Sequence, residues 1–134
     1  MKEIAVAIFT NSLGEVLLQK KTLDYSPSPG AWCLFGGSIE GTEDPKMAII
    51  REIKEEIGLD TSPSHCFTLS NSFLGAPQKT HVFHHTIEDI SRISLAEGAG
   101  FAFFGLDELK DLRINSDVAD ALEKYFSISL KRFN

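Results

Sequence analysis

The chain is poor in cysteine and in positive charge. Two cysteines in 134 residues, Cys33 and Cys66, supply neither a disulfide framework nor a zinc site. Free thiols in a reducing, cytoplasmic setting are the expectation. Thirteen Lys and Arg against 19 Asp and Glu leave a net charge of −6. That balance argues against a general nucleic-acid or membrane-surface binder, so an anionic substrate would need a metal ion and a few local cations. Long apolar runs are missing as well, and a transmembrane helix needs about 20 such residues. The run at residues 4–9 is short and preceded by Glu3, so no secretory leader is expected. No internal repeat or low-complexity segment stands out. What remains is 43% hydrophobic and 24% charged, enough for one core, and a single domain over residues 1–134 is expected.

Residues 37–59 organise the rest. Read as a helix, their second half sets Glu52, Glu55 and Glu56 at i, i+3 and i+4, within about 100° of arc. Ile49, Ile50, Ile53 and Ile57 gather on another arc, predicted to be the buried one. Ala48 lies one turn above Glu52, inside the acidic arc, and is read as leaving open space there. Like charges at i, i+4 cost a helix roughly 0.2–0.5 kcal/mol, and acids in its C-terminal half oppose the dipole. A hard divalent cation such as Mg²⁺ or Mn²⁺ would turn that fault into a site. The plain alternative is a solvated acidic face, partly neutralised by Arg51 and Lys54.

The spacing extends beyond the three glutamates. The segment resembles the Nudix box, G-x5-E-x7-R-E-U-x-E-E-x-G-U with U bulky and apolar. All nine specified positions match: Gly37, Glu43, Arg51, Glu52, Ile53, Glu55, Glu56, Gly58 and Leu59. From average residue usage, the seven fixed identities coincide by chance on the order of once in 10^8 start positions. The resemblance implies an α/β Nudix fold: an α/β/α sandwich with a central mixed sheet, the box forming a loop-helix-loop unit. It also implies a Mg²⁺-dependent pyrophosphohydrolase (Mn²⁺ a substitute) acting on a small nucleoside diphosphate derivative. Glu52 and Glu56 are implied as metal ligands, Glu55 as a third, and the carbonyl of Gly36 as a contributor. Arg51 and Glu43 are implied as orienting partners. One departure from many relatives is Phe35 before Gly36-Gly37, where proline is common; it touches loop rigidity, not the ligands.

Along the chain, residues 4–9 suit a central strand, 11–14 a turn, and 15–20 the returning strand. Residues 31–35 read as a short strand leading into a glycine turn at Gly36-Gly37. Thr42 is the expected cap of the box helix, with Pro45 in its first turn and Gly58 ending it. Strands are expected at 66–74 and 80–87, with a turn at 75–77, and another strand at 101–105. His81 and His85 would share a strand face, with His84 opposite, as ordinary strand residues or substrate contacts. Helices are expected at 106–112 and 117–126, capped by Asp107 or Ser116. Lys131 and Arg132 are read as solvated.

Catalysis of phosphoryl transfer needs charge neutralisation and positioning more than covalent chemistry. Residues 95–100 resemble a loop that brings a general-base glutamate to the metals in some family members, which would be Glu97; a solvated loop acid is the alternative. Glu40 is a second candidate. Phosphate contacts are sought among Lys20, Lys21 and Lys79. Base stacking is sought among Phe9, Tyr25, Phe35 and Phe83, each of which equally suits a core. The candidate substrates are a nucleoside triphosphate, an oxidised nucleotide, a nucleotide sugar, ADP-ribose or a dinucleoside polyphosphate, the first three favoured for so small a chain. A non-catalytic nucleotide sensor and an isoprenoid-diphosphate isomerase on the same fold are the rivals. Monomer and homodimer are left open.

Overall fold

The computed structural model describes residues 1–24, 28–95 and 98–132. The elements run β1 (Lys2–Thr10), β2 (Val16–Lys20), β3 (Trp32–Cys33), β4 (Phe35–Ser38), α1 (Pro45–Ile57), β5 (Ser64–Phe73), β6 (Ala76–Thr86), β7 (Gly100–Phe104), α2 (Leu106–Leu109) and α3 (Ser116–Phe126). Among the described residues the strands form one seven-stranded sheet in the order β3-β2-β1-β6-β5, with β4 on β1 and β7 on β2. The sheet is mixed: β1 runs parallel to β6, from Lys2 opposite Gln78 to Thr10 opposite Thr86, and the other pairs are antiparallel. No helix among the described residues is long and apolar enough to cross a membrane.

β1 is apolar on both sides because both are covered. Ala5, Ala7 and Phe9 join Leu17, Phe35 and Phe83 against Ile49, Ile53 and Ile57 of α1. Ile8, on the opposite face, joins Leu18, Val82, Ile114, Ala119 and Leu122 beneath α3. The sheet between helices is the predicted α/β/α sandwich. Each fully buried Ile or Phe contributes roughly 1.5–3 kcal/mol of burial.

Local chemistry moved several boundaries. The expected strand at 31–35 splits into β3, which pairs with β2, and β4, which crosses to β1. The glycines at 36 and 37 thus lie inside a strand rather than in a turn. The β5–β6 turn is Leu74-Gly75, both at positive φ, so Ala76 and Pro77 belong to β6. Pro77 is accepted there because β1 pairs with β6 only from Gln78 onward. Ile50 is only partly buried, while Ala48 is fully buried in the α1 core and leaves no open space. Pro45 and Gly58 stand as predicted, Gly58 at φ 74°, but the N-cap of α1 is Asp44, whose carboxylate accepts from Met47 N at 2.8 Å. An Asp beside the first turn displaces Thr42, two residues too early to reach those N–H groups. Likewise Gly105 and Asn115, not Asp107 and Ser116, precede α2 and α3. Arg132 is not merely solvated: it pairs with Asp120 and Glu123 on α3.

Asp44→Ala should lower stability by about 0.5–2 kcal/mol, whereas Thr42→Ala should stay within about 0.5 kcal/mol of the parent. Urea unfolding of the two variants checks this.

Candidate active site

Helix α1 turns a graded row of carboxylates toward β4. At about 100° per residue, Glu56 lies roughly 20° from Ile49, at the border of the apolar arc, while Glu55 lies farthest from it. Exposure follows that order. The side chain of Glu55 is 58% exposed and that of Glu52 15%, while Glu56 is partly covered by β2 and β4. Glu56 Oε1 accepts from the Gly36 backbone N–H at 2.7 Å, and Oε2 from Gln19 Nε2 at 3.2 Å. Burial pushes the Glu56 carboxyl up to about 7. The bonds from Gln19 and Gly36 oppose that rise, and the neighbouring Glu52 adds to it.

The glycine pair lets the helix come this close. A Cβ on Gly37 would stand 2.6–2.9 Å from the carboxylate atoms of Glu52. Gly36 sits at φ +146° against β1, and a Cβ there would meet the Ala5 carbonyl oxygen at 2.1 Å. Neither position accepts another residue without moving the strand or the acid.

Arg51 gathers the outer acids. Its Nε donates to Glu43 Oε2 at 2.7 Å and Nη2 to Glu43 Oε1 at 3.0 Å, a bidentate pair. Nη1 donates to Glu52 at 2.9 Å and to Glu55 at 3.3 Å, and Nη2 also reaches the Ser38 carbonyl at 3.1 Å. The bond to Glu43 is the largest cause of a raised Arg51 pKa, and Arg51 in turn holds the Glu43 carboxyl below its usual range. Glu40 is exposed and lies 3.7 Å from Arg51 Nη2. Glu43, Glu52 and Glu55 are therefore gathered around one guanidinium.

The donor set suits a hard divalent cation: it is all oxygen, and Glu56 is a desolvated carboxyl that a nearby cation would keep ionised. The ligands do not form a closed cage. Among the described residues no group of three or more His, Cys, Asp or Glu side chains stands ready to hold an ion, and Arg51 engages Glu52 and Glu55.

A cleft of about 190 Å³ opens on the α3 face of the sheet. Gly36, Gly37 and Lys21 border it, and Gln78, Asn115 and Asp117 supply its polar groups. Asn115 Nδ2 donates to Ser28 Oγ at 2.6 Å. Asp117 Oδ1 is buried without a hydrogen-bond partner, and burial raises the Asp117 pKa. Sequence reading missed Gln19, Gln78, Asn115 and Asp117. The available signals were polar residues interrupting buried strands and an Asn-Ser-Asp run at a helix start. A wider groove of about 710 Å³ between β5 and α3 is not bordered by Glu52, Glu55 or Glu56.

The other candidates separate. Phe9, Phe35 and Phe83 are at most 2% exposed and pack in the α1 core, so none offers a ring to a base; Phe9 and Phe35 meet edge to face at 5.7 Å. Lys20 Nζ lies 5.8 Å from the Trp32 ring centre. Lys79 is exposed near Glu3 and does not border the cleft. His81 bonds Glu3 at 2.8 Å, His84 bonds Thr10 at 2.6 Å and stacks on Tyr125, and His85 meets Phe9, which makes all three strand residues with local partners. Tyr25 and Glu97 lie outside the described residues.

Comparison with known proteins agrees with the fold. The family model described as NUDIX domain matches residues 1–125. The dihydroneopterin triphosphate diphosphatase of Haemophilus influenzae is 26% identical over 92% of this chain and 86% of its own length. The 8-oxo-dGTP diphosphatase of Proteus vulgaris is 34% identical over 44% of this chain and 52% of its own. In fold, the E. coli dihydroneopterin triphosphate pyrophosphohydrolase superposes with a TM-score of 0.77 at 16% identity, covering 92% of this chain and 93% of that one.

Glu56 generates a pH prediction. Its folded pKa of about 7 lies above the ordinary 4.5. Between those values the folded state holds a proton that the unfolded state has lost, so stability falls as pH rises through this window. In chelator, Glu56→Gln should melt progressively higher than the parent from pH 5 to pH 8, by up to about 3 kcal/mol of relative stability. Mg²⁺ should raise the parent's melting temperature and not the variant's. Melting curves at four pH values, with and without Mg²⁺, check both.

Proposed function

We propose that this chain, which belongs to the Nudix family and is a nucleotide pyrophosphohydrolase, cleaves a nucleoside triphosphate or a related heterocyclic triphosphate whose base enters the cleft beneath α3. The observation that carries the choice is Asp117. An unpaired buried acceptor costs free energy until a donor arrives, and this one borders a cleft ending at the glycines that seat the glutamates. A ring edge with adjacent N–H groups, as in guanine or a pterin, supplies two donors to one carboxylate. Two of the relatives above are named for triphosphates with such an edge, 8-oxo-dGTP and dihydroneopterin triphosphate.

In this reading water adds to one phosphorus of the triphosphate, a bridging P–O bond breaks, and a nucleoside monophosphate and pyrophosphate leave. Glu52 and Glu56 would hold Mg²⁺ or Mn²⁺, with Glu55 and the Gly36 carbonyl completing the set. Charge neutralisation of the phosphate oxygens and acidification of the attacking water are what such an ion supplies. Arg51 keeps Glu52 and Glu55 in place through its anchor on Glu43. Lys21, at the border between cleft and glycines, is the phosphate contact. Glu97 takes the proton from water, with Glu40 as the second candidate. A single domain and a cytoplasmic setting belong to the same proposal, the latter supported by two free cysteines.

The rivals are less well supported. A sensor without catalysis has no use for a complete set of box acids. An isomerase would want a cysteine and a glutamate facing one cleft. Cys33 borders the cleft, but burial pushes its thiol up to about 12, and Cys66 is exposed on β5.

A panel of GTP, 8-oxo-dGTP, dihydroneopterin triphosphate, ATP and CTP with Mg²⁺, beside a chelator control, tests the substrate class. The first three should be preferred. Asp117→Asn should lower kcat/KM for them by about 10-fold or more and for ATP by less than about 3-fold; equal losses would reject Asp117 as the reader of the base. Glu97→Gln should lower kcat by about 10²–10⁴-fold with KM little changed. An unchanged kcat moves the base to Glu40 or a box acid.

A further inference from the structure

β2 is a buried strand in which Val16, Leu17 and Leu18 are all apolar and fully covered, and the next residue is Gln19, 3% exposed. An apolar side chain would suit that position better on burial grounds, since a buried amide costs free energy unless its groups are bonded. Gln19 spends its amide in a particular way. Nε2 donates to Glu56 Oε2 at 3.2 Å and reaches the Leu34 carbonyl at 3.4 Å. On the other side of the amide, Oε1 lies 3.6 Å from where a Cβ on Gly98 would stand. The Glu56 carboxylate is therefore gripped by one donor per oxygen, from two strands: Gly36 N–H of β4 on Oε1 and Gln19 of β2 on Oε2.

A carboxylate oxygen has two lone-pair sites. One donor on each oxygen fixes the plane of the group and leaves a lone pair on each for another ligand. The helix alone cannot do this, because a glutamate on α1 retains rotational freedom about its side-chain bonds. The Gly36 donor belongs to the backbone and would hold Oε1 whatever the side chains were. The second donor is the one the sequence chose.

We propose that Gln19 is a positioning residue for the divalent ion: by holding Glu56 Oε2 it fixes the carboxylate in the orientation that receives the cation, and so sets ion affinity without touching ion or substrate. The proposal rests on reading Glu56 as an ion ligand. Partners that orient metal ligands typically change metal affinity or activity by 10–100-fold when removed.

The test is Gln19→Met, which keeps length and fills the strand but has no donor. The readout is a melting titration with Mg²⁺ alone, followed by turnover at graded Mg²⁺. The Mg²⁺ concentration at half-maximal melting shift should rise about 10–100-fold. Turnover at limiting Mg²⁺ should fall and recover in excess Mg²⁺, with KM for the nucleotide unchanged. A purely structural amide would instead lower the ion-free melting temperature and leave the half-maximal Mg²⁺ concentration within about 2-fold of the parent, and that result overturns the proposal. If Gln19→Met does not fold, Gln19→Asn carries the same expectation, because the amide then stops one methylene short of Glu56. A parent whose melting does not respond to Mg²⁺ overturns this proposal together with the ion-ligand reading. A parent that responds to Mg²⁺ yet cleaves no triphosphate loses only the substrate assignment, and the titration still decides the role of Gln19.

Discussion

The close approach of α1 to β4 is the constraint on which the site depends. The carboxylate of Glu52 occupies space that any side chain at residue 37 would fill. Glycine at 37 admits the acid, and glycine at 36 admits the strand to β1 at a φ that other residues rarely adopt. With both in place, the acidic seam of the helix is pressed against a sheet instead of facing water. Every unusual property of the site follows from that pressing: the covered Glu56, its raised pKa and its need for donors from the strands.

Arg51 offsets part of the resulting charge. A lone surface ion pair contributes little, but this guanidinium bonds Glu43 through two nitrogens and reaches Glu52, Glu55 and the Ser38 carbonyl as well. It ties the loop before α1 to the helix and to the end of β4. The network neutralises the exposed side of the seam and makes no bond to Glu56 on the covered side, whose hydrogen bonds come from the Gly36 N–H and the Gln19 amide and which also feels the charge of Lys21. Burial on that side makes ionising Glu56 costly, because the local dielectric is low.

Much of this was legible in the sequence, and the reasons differ by element. The helix within the box is legible because its acidic and apolar residues keep a helix period, and Pro45 and Gly58 mark its ends by backbone chemistry alone. Thr42 and Ser116 were misread as caps because several polar residues precede each helix and only geometry selects Asp44 and Asn115. Ala48 was misplaced because a helical wheel shows which residues share an arc but not how far the neighbouring strand extends over it. Phe35 was offered to a base and belongs to the core, since aromatic residues look alike in both roles. Gln19 and Asp117 went unseen because their importance lies in partners 37 residues away, for Gln19 on Glu56, or in a missing partner, for Asp117. Neither kind of relation leaves a local pattern.

The alternation along β1 separates two kinds of change. Ala5 and Ala7 face the helix that carries the glutamates, whereas Ile4 and Val6, one residue apart from them, border the cleft under α3. A single strand thus serves as a partition wall, with one tenant on each side. The β1 side chains that face the cleft take no part in the core behind the carboxylates, and those in that core do not border the cleft. A lineage built on such a wall can change the shape of what it holds while leaving untouched the machinery that acts on it.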